Sequence, residues 1–196
     1  IALITVNYNN ASVTIKLLET LRLNTDQDFR DLVVDNASEP SDRTRLETFI
    51  RSEYPETVLL ASQKNLGFSG GNNIGMRHAM GQGTDWFVFI NNDALVAPTF
   101  IADLKTDLAS AEPGILAIPI KEGEHTAYSG QVLWLRLTLP HLFERESVNK
   151  RLYAIGAAMA VHRDVIDAVG LWDERYFLYF EDADFSERAR KRGWPI

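Results

Sequence analysis

The sequence predicts an α/β fold built on a mostly parallel sheet, and three observations predict it. The apolar runs "ALITV" (2–6), "DLVV" (31–34), "TVLLA" (57–61) and "WFVFI" (86–90) are short and unbroken, as in strands buried on both faces. Helical periods separate them: Val13, Leu17, Leu18 and Leu21 share one face, as do Leu46, Phe49 and Ile50. Each run then stops in polar residues. The resulting β-α-β-α-β-α-β order calls for right-handed crossovers, which make the strands parallel.

Ser41 or Asp42 is placed to cap the second helix, and a third helix is expected over Asn72 to Met80. Beyond the fourth strand a helix follows Pro98, from Thr99 to Ala109, and "ILAIP" reads as a strand. "AIGAAMAVHR" reads as another strand, with His162 near its end, and "RDVIDAV" as a short helix. "EDADFSERARKRG" is a helix that stops at Gly193. Between them, residues 121–151 follow no single period. There "AYSGQVLWLRLTL" suits either a strand or an exposed apolar loop.

With 196 residues the chain is long enough for one full domain, which buries roughly 70% of its unfolded surface. A net charge of -7 and no block of Lys or Arg argue against nucleic acid as a partner. The absence of cysteine excludes a disulfide framework and fits a reducing, cytoplasmic location. No apolar stretch approaches the ~20 residues of a membrane span, which leaves peripheral contact at the inner face of the membrane. Both ends read as trimmed: Ile1 already lies in a strand-like run, and the chain stops at "GWPI".

The chemistry gathers at the strand ends, which carry Asn7-Tyr8-Asn9, Asp35-Asn36-Ala37-Ser38, Asn65-Leu66-Gly67 and Asn91-Asn92-Asp93. Any one of these could be turn chemistry. On a parallel sheet all four fall on one edge, where open α/β sheets bind ligands. Asp35 could accept from a base or ribose, while Asn7 and Tyr8 could hold the base by an amide contact and stacking. The glycines of "NLGFSGGNNIG" allow close backbone approach and expose amides at a helix start. Asp93 is a hard oxygen ligand suited to Mg²⁺ or Mn²⁺, which needs few protein carboxylates when phosphates complete its shell. Near the end, Glu181, Asp184 and Arg188 share a helical face, with Asp184 able to pair with Arg188. Phe177-Leu178-Tyr179-Phe180 would set an apolar wall beside the acids.

Taken in order, "ITVNYNN", "VVDNAS", "NLGFSGGNN", "FINNDALV" and "GLWDERYFLYFEDADFSERARKRGW" resemble the successive motifs of the family 2 glycosyltransferases, its rhamnosyltransferase-like bacterial members above all. The resemblance covers nearly the whole chain. It implies a GT-A fold in one domain, 1–196, with a nucleotide-sugar-binding half (1–93) and a smaller acceptor and catalytic-base half (94–196). It implies transfer of a sugar from a nucleotide diphosphate to an acceptor hydroxyl with inversion. The acceptor would be a glycan or lipid-linked glycan, in cell-surface polysaccharide synthesis.

By that resemblance "NND" stands where relatives have Asp-x-Asp, so that Asp93 matches the metal-binding Asp and Asn91 departs from the pattern. Asp182 of the Glu181-Asp182 pair matches the base, and Trp172, Asp173 and Glu174 match an acceptor-side element. Asn7, Tyr8, Asn9, Asp35, Asn36, Asn65, Gly67, Asn72, Asn91 and Asn92 fall in the donor-binding motifs. Asp182 is expected at the start of the last helix, where the dipole favours a carboxylate's ionised form. Two other readings share parts of this pattern. A sugar-nucleotide nucleotidyltransferase would carry a Gly-rich, basic loop after the first strand, and "VNYNNASV" lacks one. A non-catalytic nucleotide- or glycan-binding module would need no Glu181-Asp182 pair.

Overall fold

The computed structural model describes residues 1–132, 138–143 and 152–196. Four strands, β1 (Ala2–Asn7), β2 (Arg30–Asp35), β3 (Val58–Ala61) and β4 (Trp86–Ile90), alternate with helices α1 (Ala11–Arg22), α2 (Pro40–Glu53) and α3 (Gly67–Gly81). After α4 (Phe100–Ser110) come β5 (Ile115–Ala117), β6 (Ile120–Glu122), β7 (His125–Ala127), β8 (Ser129–Gln131), β9 (His141–Leu142) and β10 (Leu152–Tyr153). The chain closes with β11 (Ala158–His162), α5 (Arg163–Val169) and α6 (Glu181–Lys191).

The main sheet has the order β3-β2-β1-β4-β11-β5. Strands β1 to β4 are parallel, and β11 runs antiparallel between β4 and β5. The chain moves outward from β1 to β3 and then returns to β1's other side with β4. That reversal makes a topological switch point between the carboxyl ends of β1 and β4, where such sheets form a ligand crevice. Smaller ladders pair β6 with β7 and β10-β8-β9. They occupy the stretch without a clear period. Of "AYSGQVLWLRLTL", residues 129–131 form β8, while 133–137 lie outside the described residues.

Alternation in β4 divides the core. Phe87 and Phe89 join Ile4, Met76, Trp172 and Phe185 on one face, while Val88 and Ile90 join Leu17, Val33, Leu46 and Ile101 on the other. Helix α3 begins five residues before the expected Asn72, so the glycine-rich stretch is helical. Its glycines serve packing rather than an open ligand loop. A Cβ on Gly71 would lie 2.8 Å from Val6 Cγ1, and one on Gly75 2.5 Å from Ile4 Cγ2. Without side chains there, α3 can lie directly on β1.

Two caps also differ from expectation. Helix α2 starts at Pro40, and neither Ser41 nor Asp42 caps it. Asp42 Oδ1 instead accepts from Ala11 N at 2.9 Å, capping α1 across the crevice edge. The end of α6 follows the sequence closely. Gly193 is left-handed at φ 84, with Gly193 N donating to Arg190 O and Trp194 N to Ala189 O. These are the two bonds of a Schellman closure.

Replacing Gly75 by Val is expected to destabilise the fold by about 1–3 kcal/mol, because β1 is too well packed to move aside. Gly81, in the same helix, has open space around its Cβ direction, and Gly81→Ala should stabilise by about 0.5 kcal/mol. Urea unfolding of both variants checks this; equal effects would mean that α3 does not press on β1.

Candidate active site

The four polar strand ends do meet on one edge, and hydrogen bonds join all four. Asn92 Nδ2 donates to Thr14 Oγ1 at 3.1 Å, and that hydroxyl donates to Asn7 Oδ1 at 2.7 Å. Asn7 Nδ2 then donates to Asp35 Oδ1, Ser38 Oγ and Asp42 Oδ2 at 3.0, 3.1 and 3.2 Å. Beside this line, Asn36 Nδ2 donates to Asn65 Oδ1, which also accepts from Gly67 N. Thr14 has no signal in the sequence, Ser38 is expected only as part of the second strand end, and Asp42 only as a helix cap. Each is an ordinary polar residue on a helix or loop, and only the fold shows what it faces.

These bonds revise several expected roles. Asn7 is fully buried and engaged at both ends of its amide, so it aligns Asp35 rather than meeting a base itself. Asp35 is also fully buried, held by Asn7 and by Ser38 N. Tyr8, 47% exposed, is the aromatic surface available beside them. Asn9 is left-handed, and its Oδ1 accepts from Glu39 N. Gly67 is left-handed too, but a Cβ there would overlap the Phe177 carbonyl, so its smallness admits the chain before α6 rather than a ligand. Asn72 is buried and bonds back to Phe68 O within its helix.

The opposite side of the crevice is built by α6. Asn91 N donates to Ala157 O at 2.9 Å, so the chain entering β11 lies against the end of β4. One residue earlier, Gly156 N donates to Asp182 Oδ2 at 2.9 Å. A Cβ on Gly156 would crowd Asp182, Trp172 and Phe68. Asp182 is thus fixed two residues away, through the backbone, from the site of Asn91. Gly156 was missed because a lone glycine inside an apolar run carries no local signal.

Asp182 is the second residue of α6, as expected, and its Oδ1 accepts from Ala183 N at 2.7 Å. Burial nevertheless pushes its carboxyl upward, and the Gly156 and Ala183 amides only partly pull it back. Desolvation therefore outweighs the hydrogen bonds and makes this carboxylate more basic. Glu181 is 5% exposed, and its Oε2 has no partner. Burial pushes it up to about 7, with the charge of Asp182 adding to the effect.

The remaining acceptor-side residues separate. Trp172 is core, 2% exposed among Phe68, Phe89 and Phe185, so it supports the site from beneath rather than lining it. Asp173 forms a close ion pair with Arg175, whose hydrogen bond holds its carboxyl down to about 2. Glu174 accepts from Asn73 and Arg77, which tie its loop to α3. Asp184 pairs with Arg188 at 2.8 Å, as the i,i+4 spacing predicts. Phe177 to Phe180 form no buried wall: they are 46–69% exposed, and Tyr179 and Phe180 are both left-handed. With Asn9 and Ala37 they are the described non-glycine residues at positive φ, and all four flank this edge. Such strain collects at functional sites.

Asp93 is exposed, and among the described residues its carboxylate has no hydrogen-bond or ion-pair partner. With Asn91 it lines a cleft of about 810 Å³ that runs toward α4 and β5, past Phe100, Leu116 and Ile118, and whose lining includes neither Asp35 nor Asp182. A free carboxylate beside amide oxygens is a hard-oxygen donor set that fits Mg²⁺ or Mn²⁺. Among the described residues no three His, Asp or Glu side chains cluster as a metal cage. Most of a cation's shell would have to come from a ligand and water.

Glu181 gives this site a measurable cost. Its folded pKa of about 7 lies above the unfolded value, so the folded state binds the proton more tightly between the two. The group is harmless below the unfolded pKa and subtracts stability as pH rises through 7. Glu181→Gln should therefore raise Tm by about 2–4 °C at pH 8 and leave it unchanged at pH 4. A lower Tm at pH 8 would mean that the carboxylate has a stabilising partner.

Comparison with known proteins follows the same lines. Galactofuranosyltransferase GlfT1 of Mycolicibacterium smegmatis is 30% identical over 84% of this chain, which spans 57% of that protein's length. N-acetylglucosaminyl-diphospho-decaprenol L-rhamnosyltransferase of Mycobacterium tuberculosis is 28% identical over 97% of this chain and 70% of its own. Among solved structures, GalNAc-T7 with UDP, GalNAc and Mn²⁺ superposes with a TM-score of 0.78 at 14% identity, over 98% of this chain and 41% of that one. The mannosyltransferase PcManGT of Pyrobaculum calidifontis, solved with GDP-Man and Mn²⁺, gives 0.72 at 17% identity, over 98% and 52%. These neighbours share the fold. The sequence profile described as glycosyl transferase family 2 matches residues 2–170, and the chain belongs to that family.

Proposed function

We propose that this chain is the transferase domain of an inverting enzyme that moves a sugar from a nucleotide-diphosphate sugar to an acceptor hydroxyl. One observation carries the reading: Asp182 is anchored by Gly156 N–H next to the Asn91 end of β4, on the same crevice edge as the Asn7–Asp35 network. Family membership supports it, as do nucleotide-bearing structures of the same fold. The galactofuranosyl- and rhamnosyltransferase relatives support a glycan acceptor, lipid-linked in the second case by that protein's name. Among the described residues no helix is long and apolar enough to cross a membrane, and in this reading a lipid-linked acceptor is met at a membrane surface.

In this reading Tyr8 stacks on the base, and Asp35, aligned by Asn7, accepts from it. Asn9, Asn36, Asn65 and Asn92 shape the wall around the donor. Asn91 and Asp93 face its sugar and diphosphate. The Asp182 carboxylate takes the acceptor hydroxyl's proton while that oxygen bonds to the anomeric carbon. The bond from this carbon to the diphosphate breaks with its electron pair on the departing oxygen, and attack from the opposite face inverts the centre. A base raised by burial is better matched to this proton transfer than an ordinary carboxylate. A divalent cation held through Asp93 would supply charge neutralisation on the departing diphosphate.

Asp182→Asn keeps the size and one of the two backbone hydrogen bonds but removes basicity. It should lower kcat ~10²-fold or more with donor affinity nearly unchanged. Full activity in this variant would sink the mechanism, and a binding module would show no transfer to begin with. UDP or dTDP affinity measured by calorimetry should fall sharply on adding EDTA, and Asp93→Asn should abolish that difference. Equal affinity with and without EDTA in the unaltered protein would assign Asp93 to the turn alone.

A further inference from the structure

Helix α1 and the residues just after it hold the segment that follows β4 at four points. Thr14 Oγ1 accepts from Asn92 Nδ2 at 3.1 Å, and Thr20 Oγ1 accepts from Val96 N at 3.3 Å. Thr25 N donates to Pro98 O at 2.8 Å, and Asn24 Oδ1 accepts from Ile101 N at 3.0 Å. Both hydroxyls are oriented for this task. Each has a single proton, whose nearest acceptor is Asn7 Oδ1 for Thr14, at 2.7 Å, and Leu17 O for Thr20, at 2.8 Å. With the proton committed behind it, each oxygen turns a lone pair to the N–H group of the segment.

Asp93 lies inside this span. Just before it, Asn91 N donates to Ala157 O at 2.9 Å, so Asn91 and Asn92 are anchored to different elements, the entry to β11 and α1. Ala94 N closes the turn on Asn91 O at 3.1 Å. The backbone around Asp93 is therefore fixed on both sides. Its carboxylate is exposed and, among the described residues, has no partner. A free carboxylate on a fixed backbone lowers the ordering cost of binding a cation.

We propose that Thr14 and Thr20 are positioning residues for the cation: through Asn92 and Val96 they hold Asp93 where a donor's metal needs its carboxylate. The proposal rests on the reading that Asp93 holds that cation. The two threonines differ in reach. Thr14 also bonds Asn7, which aligns Asp35, so it serves both halves of the donor site. Thr20 bonds its own helix and the Asp93 segment alone.

The test reads the gain in UDP or dTDP affinity between EDTA and saturating Mn²⁺, by calorimetry. Thr20→Val keeps the side chain's shape and removes the hydroxyl. It should cut the Mn²⁺ gain about three- to tenfold, the scale of one hydrogen bond, with affinity in EDTA unchanged. Thr14→Val should cut the gain similarly and also weaken binding in EDTA, because it leaves Asn7 Oδ1 without its donor. Thr14→Ser and Thr20→Ser keep the hydroxyl and should retain the gain of the unaltered protein. Thr20→Val decides the outcome if Thr14→Val fails to fold. A lower Tm with an unchanged gain in Thr20→Val would make the hydroxyl structural only and overturn the proposal. Serine variants as weak as the valine ones would overturn it too. No gain from Mn²⁺ in the unaltered protein would sink the reading of Asp93 and this proposal together; a gain that both valine variants keep sinks the proposal alone.

Discussion

The backbone pairing of β11 with β4 is the constraint on which the rest of the site depends. Five residues of each strand align antiparallel, from Ala158 beside Ile90 to His162 beside Trp86. Because the strands run in opposite directions, the residues entering β11 lie beside the polar end of β4. Gly156 and Ala157 therefore reach the crevice, one amide holding Asp182 and one carbonyl receiving Asn91. A parallel strand in the same place would have left those residues at the far pole. Helix α6 could then have carried the same acids with nothing to bring them to the polar edge.

The loop before α6 is held just as firmly. Phe68 N and Ser69 Oγ donate to the carbonyls of Phe177 and Tyr176, at 2.7 Å in each case. Asn73 grips the backbone of Trp172 on both sides, donating to its carbonyl and accepting from its amide. Helix α3 is thus clamped to the sheet by its glycines on one side and to the loop before α6 on the other. The Asp182 carboxylate, held by two backbone amides, is fixed in place by the same framework. The same rigidity explains how Tyr179 and Phe180 persist in a left-handed backbone that their side chains disfavour.

Stability is given up around this arrangement. Glu181 sits beside Asp182 with an oxygen unpaired, and the indole nitrogen of Trp172 beneath them also lacks a partner. Both lie under the α6 start, where burial raises the carboxyls and, with their charges, the Tyr153 hydroxyl. A sequence shaped only for folding would place apolar groups there. That pattern agrees with membership of a glycosyltransferase family whose structural neighbours keep this fold at 14–17% identity.

The amino-acid sequence by itself determined the α/β class, the parallel order of the first four strands and the polar edge they share. Those features follow from local periodicity and from the composition of strand ends, which need no knowledge of distant neighbours. The helix carrying Asp182, its Asp184–Arg188 pair and its glycine stop were legible for the same reason. Only the tertiary structure decided which residues would face the crevice. It turned Asn7 inward to serve Asp35, put Trp172 in the core, and made packing surfaces of Gly71 and Gly75. It exposed the aromatic run before α6 and left Glu181 and Asp31 without full partners. Each of these depends on contacts between residues far apart in the chain, as between Asn73 and Trp172, separated by 99 positions. No local pattern encodes a partner at that range.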